Sequence, residues 1–94
     1  MLELNVEAGG VVRLRGRLDA AESDRALETL QRVAGPLTLE CSGLEYVSSA
    51  GISVIMLTWK RLQGEGSSMK LEGLTPRVRN VFGYAGLEKV LGIE

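Results

Sequence analysis

Histidine is absent from the 94 residues, and cysteine occurs once, at Cys41. The first absence removes the side chain best suited to moving protons near neutral pH, and with it the commonest transition-metal ligand. The second excludes an intramolecular disulfide and any cysteine cluster able to hold zinc. A surplus of one charge is lacking too, because 11 Lys and Arg stand against 12 Asp and Glu for a net charge of −1. Nucleic acid rewards a basic stripe, so no nucleic-acid partner is expected. No run approaches the ~20 apolar residues needed to cross a bilayer, so no direct membrane insertion is expected either. The opening residues 1–5 lack the basic start and apolar stretch of a secretion signal, which points to the cytoplasm. No metal site, cofactor or catalytic set emerges, and an enzyme ranks behind a binding domain.

What is present reads as one globular domain over residues 1–94, 45% hydrophobic and 24% charged, with room for a single core. Leu2 to Glu7 alternates apolar and polar, the period of a half-buried strand. Gly9-Gly10 reads as a hairpin turn, because paired glycines accept positive φ at little cost. A second strand follows at Val11 to Arg15. From Ala20 to Ala34 the period changes to helical, with Ala26, Leu27, Leu30 and Val33 on one side and Asp19 or Ser23 as N-cap. Gly35-Pro36 stops that helix. Leu37 to Cys41 is a third strand, reached by a crossover and therefore parallel, and Ser42 to Val47 reads as a loop. The strongest helix runs from about Ala50 to Gln63, with Ile52, Ile55, Met56, Trp59 and Leu62 predicted to face the sheet. Met69 to Glu72 is a fourth strand. Thr75-Pro76 opens a third helix as N-cap and first helical residue, and the tail from Leu87 to Ile93 folds back, as a short helix or otherwise.

The stretch Leu44-Glu45-Tyr46-Val47-Ser48-Ser49-Ala50-Gly51-Ile52 stands out. Ser48 or Ser49 is a natural N-cap for the long helix. That accounts for one hydroxyl and leaves Gly51 unexplained, since glycine in a first helical turn costs ~1 kcal/mol relative to alanine. A small residue there suggests that another surface approaches the helix end closely. Gly64-Glu65-Gly66 could suggest a phosphate cradle, but no lysine follows at the P-loop spacing.

Gly16-Arg17-Leu18-Asp19 and the serine stretch together resemble the two signatures of the STAS domain family, in its anti-sigma factor antagonist branch. The likeness extends over nearly the whole chain, including the Gly35-Pro36 break and Phe82-Gly83-Tyr84-Ala85-Gly86-Leu87. It implies an α/β fold: a single STAS-like domain whose mixed four- to five-stranded β-sheet carries helices mainly on one face. It also implies a switch without catalysis. In the family the serine two positions before the glycine, Ser49 here, is phosphorylated by a partner that is both serine kinase and anti-sigma factor. The unphosphorylated antagonist binds that partner and frees a sigma factor, and a serine phosphatase reverses the modification. Many members carry aspartate where this sequence has Ser48, which makes Ser48 the second candidate for the phosphate. Asp19 is expected beside the serine turn.

The implied partner surface takes in Asp19, Ser48, Ser49, Gly51, Ser53, Val54 and Leu57. Val54 and Leu57 fall outside the predicted core stripe, and they either pack under a neighbouring helix or form an exposed apolar strip. On the second view, Val54→Asp abolishes partner binding at little cost in thermal stability. The alternative function for such a domain is a scaffold or accessory subunit of a stressosome or membrane transporter.

Overall fold

A computed structural model of the chain describes residues 1–93. The elements are β1 (Leu2–Glu7), β2 (Val11–Leu18), α1 (Ala20–Leu30), β3 (Leu37–Val47), α2 (Ser49–Gly64), β4 (Met69–Glu72) and α3 (Pro76–Tyr84). The four strands form one mixed sheet in the order β1-β2-β3-β4. β1 and β2 are antiparallel, joined through Gly9 and Gly10 at φ 82° and 77°. β2 with β3 and β3 with β4 are parallel, as crossovers through α1 and α2 require. The strand count is the lower of the two expected.

Alternation along the strands divides the sheet into an apolar and a polar face. Val12, Leu14 and Leu18 of β2 and Leu37, Leu39, Cys41, Leu44 and Val47 of β3 are buried in the core with Ala26, Leu30, Ile55, Leu62, Val78 and Phe82 of the helices. α1 packs on β2 and β1, α2 on α1 and β3, and α3 on β3. The other face carries Glu3, Asn5, Glu7, Arg13, Arg15, Glu40 and Ser42. Arg13 bridges Glu7 at 2.9 Å and Glu40 at 3.2 Å, and its hydrogen bond holds the Glu7 carboxyl below its ordinary range. One face buried and one face wet is the usual state of a sheet containing an antiparallel pair.

β3 departs most from the expectation. It continues through Ser42 to Val47, where a loop was predicted, and it does so by bulging twice. Its register with β2 slips once between Arg13 and Arg15 and again between Gly16 and Arg17. Each slip inserts an extra β3 residue and breaks the alternation by which a strand is recognised. At the second slip Glu45 and Tyr46 are both exposed between buried Leu44 and Val47.

The helices begin where their caps say. Asp19 Oδ1 accepts from the Glu22 N–H at 3.2 Å, and Thr75 Oγ1 accepts from the Val78 N–H at 3.4 Å with Pro76 first in α3. α1 ends earlier than expected, at Leu30. The Arg61 guanidinium of α2 donates to the carbonyls of Leu30 at 3.0 Å and Val33 at 2.7 Å. It thus satisfies carbonyls at and just beyond the helix C-terminus that lack a full set of helical partners. The tail beyond α3 forms turns, not a regular helix, and seats Leu91 in the core.

Candidate functional site

The C-terminal ends of β2 and β3 lie side by side, and each runs directly into a helix. Leu18 pairs with Val47 at the last rung. One residue later Ser48 donates its backbone N–H to the Leu18 carbonyl at 3.0 Å. This bond ties the β3–α2 turn to the β2–α1 turn, so Asp19 and Ser48, the caps of α1 and α2, sit at adjacent strand ends.

The two serines have separate roles. Ser48 is the N-cap: its Oγ accepts from the Gly51 N–H at 3.1 Å and its carbonyl accepts from the Ile52 N–H at 2.9 Å. Ser49 is the first helical residue, with its side chain exposed. Its backbone carbonyl accepts from Ser53 Oγ at 3.1 Å. One hydroxyl is therefore committed to the fold and the other is open to a partner.

Gly51 is buried, which corrects its assignment to the partner surface. The surface that approaches it belongs to this chain. A Cβ there would lie 2.6 Å from the Leu18 carbonyl oxygen, 2.8 Å from Leu18 Cγ and 2.9 Å from Val47 Cγ2. Glycine lets the first turn of α2 settle onto the end of β2.

Val54 is a second correction. It is only 4% exposed and belongs to the core, so it contributes nothing to an outer strip. The buried line of α2 is Gly51, Val54, Ile55, Thr58 and Leu62, rotated from the one read in the sequence. Ile52, Met56 and Trp59 lie at its margin, half-buried. The rotation follows from α1, which packs against α2 and covers an arc that a lone helix on a sheet would leave open. Thr58 is fully buried because its hydroxyl donates to the Val54 carbonyl at 2.9 Å, which removes the cost of an unpaired polar group. Before its last turn, where Gln63 and Gly64 are also exposed, α2 leaves exposed Ser49, Ser53, Leu57 and Lys60, a stripe at helical spacing that starts at the open serine; Leu57 is 48% exposed.

The family model described as "Mlab, STAS domain" matches residues 4–92. The chain belongs to the STAS domain family. It is 30% identical over 88 residues to the anti-sigma F factor antagonist of Paenibacillus polymyxa, covering 88% of this chain and 75% of that one. It is 28% identical over 85 residues to the anti-sigma-B factor antagonist of Bacillus subtilis (strain 168), covering 87% of this chain and 78% of that one. An anti-sigma factor antagonist from Mycobacterium paratuberculosis shares the fold with a TM-score of 0.80 at 20% identity, over 97% of this chain and 81% of that one.

Other features of this STAS domain are plainer. Burial pushes the Cys41 thiol up to about 12, with Glu40 adding to the shift, so the thiolate needed for reaction is scarce. Two shallow hollows of about 320 and 310 Å³ flank Arg15 on the polar sheet face, and neither is lined by Ser48 or Ser49. Among the described residues no three His, Cys, Asp or Glu gather as metal ligands, and no helix is long and apolar enough to cross a membrane. One feature the sequence reading missed lies beside the serine turn. The Arg17 guanidinium rests 4.2 Å from the centre of the Tyr46 ring. Only the register slip before Tyr46 brings the two opposite each other, and no local pattern signals it.

Proposed function

We propose that this STAS domain is an anti-sigma factor antagonist switched by phosphorylation at Ser49. Unphosphorylated, it binds an anti-sigma factor that is also its serine kinase, and the sigma factor held there is released. The kinase moves the γ-phosphoryl group of ATP to Ser49 Oγ, whose proton leaves as ADP forms, and the complex separates. A serine phosphatase hydrolyses the ester and restores the binding form. The reading takes residues 1–94 as one domain that acts in the cytoplasm by binding and not by catalysis.

The observation that carries the reading is the division of labour at the α2 start: Ser48 is spent on the cap and Ser49 is exposed. The relatives named anti-sigma factor antagonists support it. Ser48, the second candidate, loses ground because phosphorylating its Oγ would disturb the bond to the Gly51 N–H.

Physical chemistry also selects how the switch works. A phosphate adds about −1.5 to −2 charges at neutral pH. At the first residue of α2 it meets the positive end of the helix dipole and the N–H groups that Ser48 leaves free. The helix tolerates it, so melting is the wrong mechanism. The phosphate instead adds bulk and charge at the head of the stripe formed by Ser49, Ser53 and Leu57, where a partner docks. Asp19 and Ser48 support this surface from the adjacent caps.

The test is to incubate the purified chain with ATP and each anti-sigma factor kinase of its source organism, then locate phosphate by mass spectrometry. Phosphate on Ser49, absent from Ser49→Ala, is expected. No phosphate with any of them, together with stable binding to a transporter subunit, would replace this reading with that of an accessory subunit.

A further inference from the structure

The bulge that precedes the serine turn builds an exposed pair with no role in the core. Glu45 is the extra residue, and its insertion sets Tyr46 opposite Arg17 at the sheet rim. Tyr46 is 38% exposed and Arg17 is exposed, with the guanidinium 4.2 Å from the ring centroid. None of the ion pairs among the described residues includes Arg17. Of the acids nearest in sequence, Asp19 is engaged as the cap of α1, and neither Asp19 nor Glu45 is ion-paired with Arg17. An exposed cation is thus held in one place by a ring and engaged in no ion pair among the described residues.

Its position joins it to the switch. Leu18, the next residue after Arg17, accepts the Ser48 N–H. The three residues of chain from Tyr46 to Ser49 span at most ~10 Å. Both features therefore fall within one patch of the size a protein partner covers, about 800 Å². Arginine and tyrosine are over-represented among residues that dominate interfaces. A guanidinium already stacked on a ring gives up little freedom on docking, and its fork fits a carboxylate.

We infer that Arg17, held over Tyr46, is the contact by which this domain recognises an acidic surface on the anti-sigma factor. The inference rests on the antagonist reading and sharpens it, because the same charge pattern explains release. A phosphate on Ser49 adds negative charge close to Arg17 and sets it against the acidic partner.

The experiment is a binding titration between the unphosphorylated chain and the anti-sigma factor kinase that modifies Ser49. It is run from about 50 to about 500 mM NaCl, a range over which exposed charges become screened. The wild-type affinity should fall as salt rises. Arg17→Glu should weaken binding at least ~10-fold at low salt, chiefly through slower association, and should flatten the salt dependence. Arg17→Gln, which keeps the stem, should lie between the two. Tyr46→Phe keeps the ring and should bind within ~2-fold of wild type, while Tyr46→Leu should weaken binding. Wild-type binding with an unchanged Arg17→Glu affinity, or with no salt dependence, overturns this inference and leaves the antagonist reading standing. If wild type binds none of the organism's anti-sigma factors, both fall together.

Discussion

Gly51 rests against the carbonyl of Leu18 so closely that a Cβ on it would sit 2.6 Å from that oxygen. The oxygen has little freedom to retreat, since it also accepts the Ser48 N–H at 3.0 Å. Two effects of Gly51→Ala therefore oppose each other. Helix propensity favours alanine by ~1 kcal/mol, while overpacking a tight contact costs ~1–3 kcal/mol. Because the clash is with held backbone, overpacking should win. Gly51→Ala is expected to lower the urea midpoint; a raised midpoint would show that the turn relaxes freely.

The two serines should separate by stability. Ser48→Ala removes the N-cap of α2 and should cost ~1 kcal/mol. Ser49→Ala removes an exposed hydroxyl and should stay within about 0.5 kcal/mol of wild type. Thermal or urea unfolding of both variants checks this, and equal losses would mean that the cap is shared.

Val54 and Leu57 should also part company, against the expectation that a charge at Val54 disturbs only binding. Val54→Asp places a carboxylate in the core with no partner, at a cost of several kcal/mol, comparable to the total stability of a small domain. It should unfold or nearly unfold the chain. Leu57→Asp meets water and should keep the native circular dichroism spectrum while weakening the anti-sigma factor complex. A folded Val54→Asp would mean that the packing of α1 on α2 is looser than described.

Cys41 should be chemically silent in the folded protein. With its thiol pushed up to about 12 and its side chain buried, iodoacetamide near neutral pH should label it only on unfolding. The same shift has a sign in stability. Above the ordinary thiol value of 9.0, the unfolded chain releases the Cys41 proton while the folded one keeps it. The stabilisation is therefore fully present below that pH and is lost as pH rises toward about 12. Unfolding of wild type and Cys41→Val across this range should show wild type losing its relative advantage; rapid native labelling would contradict the burial.

Local chemistry made part of this molecule legible in advance. Asp19 and Thr75 are caps by the residues that follow them, and Gly9-Gly10 is a hairpin turn on its own terms. The serine turn could be read as a helix start for the same reason. Contacts between distant segments stayed hidden. Two bulges broke the alternation of β3, so Ser42 to Val47 did not read as strand, and Tyr46 gave no sign of meeting Arg17. α1 on the flank of α2 turned the buried line toward Val54 and Thr58, and Leu18 is what makes Gly51 necessary. Arg61 ended α1 from another helix. Each failure has the same physical origin: the residue's environment is supplied by a segment far away in sequence.

The central claim is that phosphate on Ser49, and not elsewhere, stops docking while the fold stays intact. It is tested most directly by placing phosphoserine at position 49 and measuring, on one sample, affinity for the cognate anti-sigma factor kinase and far-ultraviolet circular dichroism. The account predicts a helical signal like that of the unmodified chain, with affinity reduced at least ~100-fold, or about 2.7 kcal/mol. Undiminished affinity, or loss of affinity accompanied by loss of helix, would contradict it.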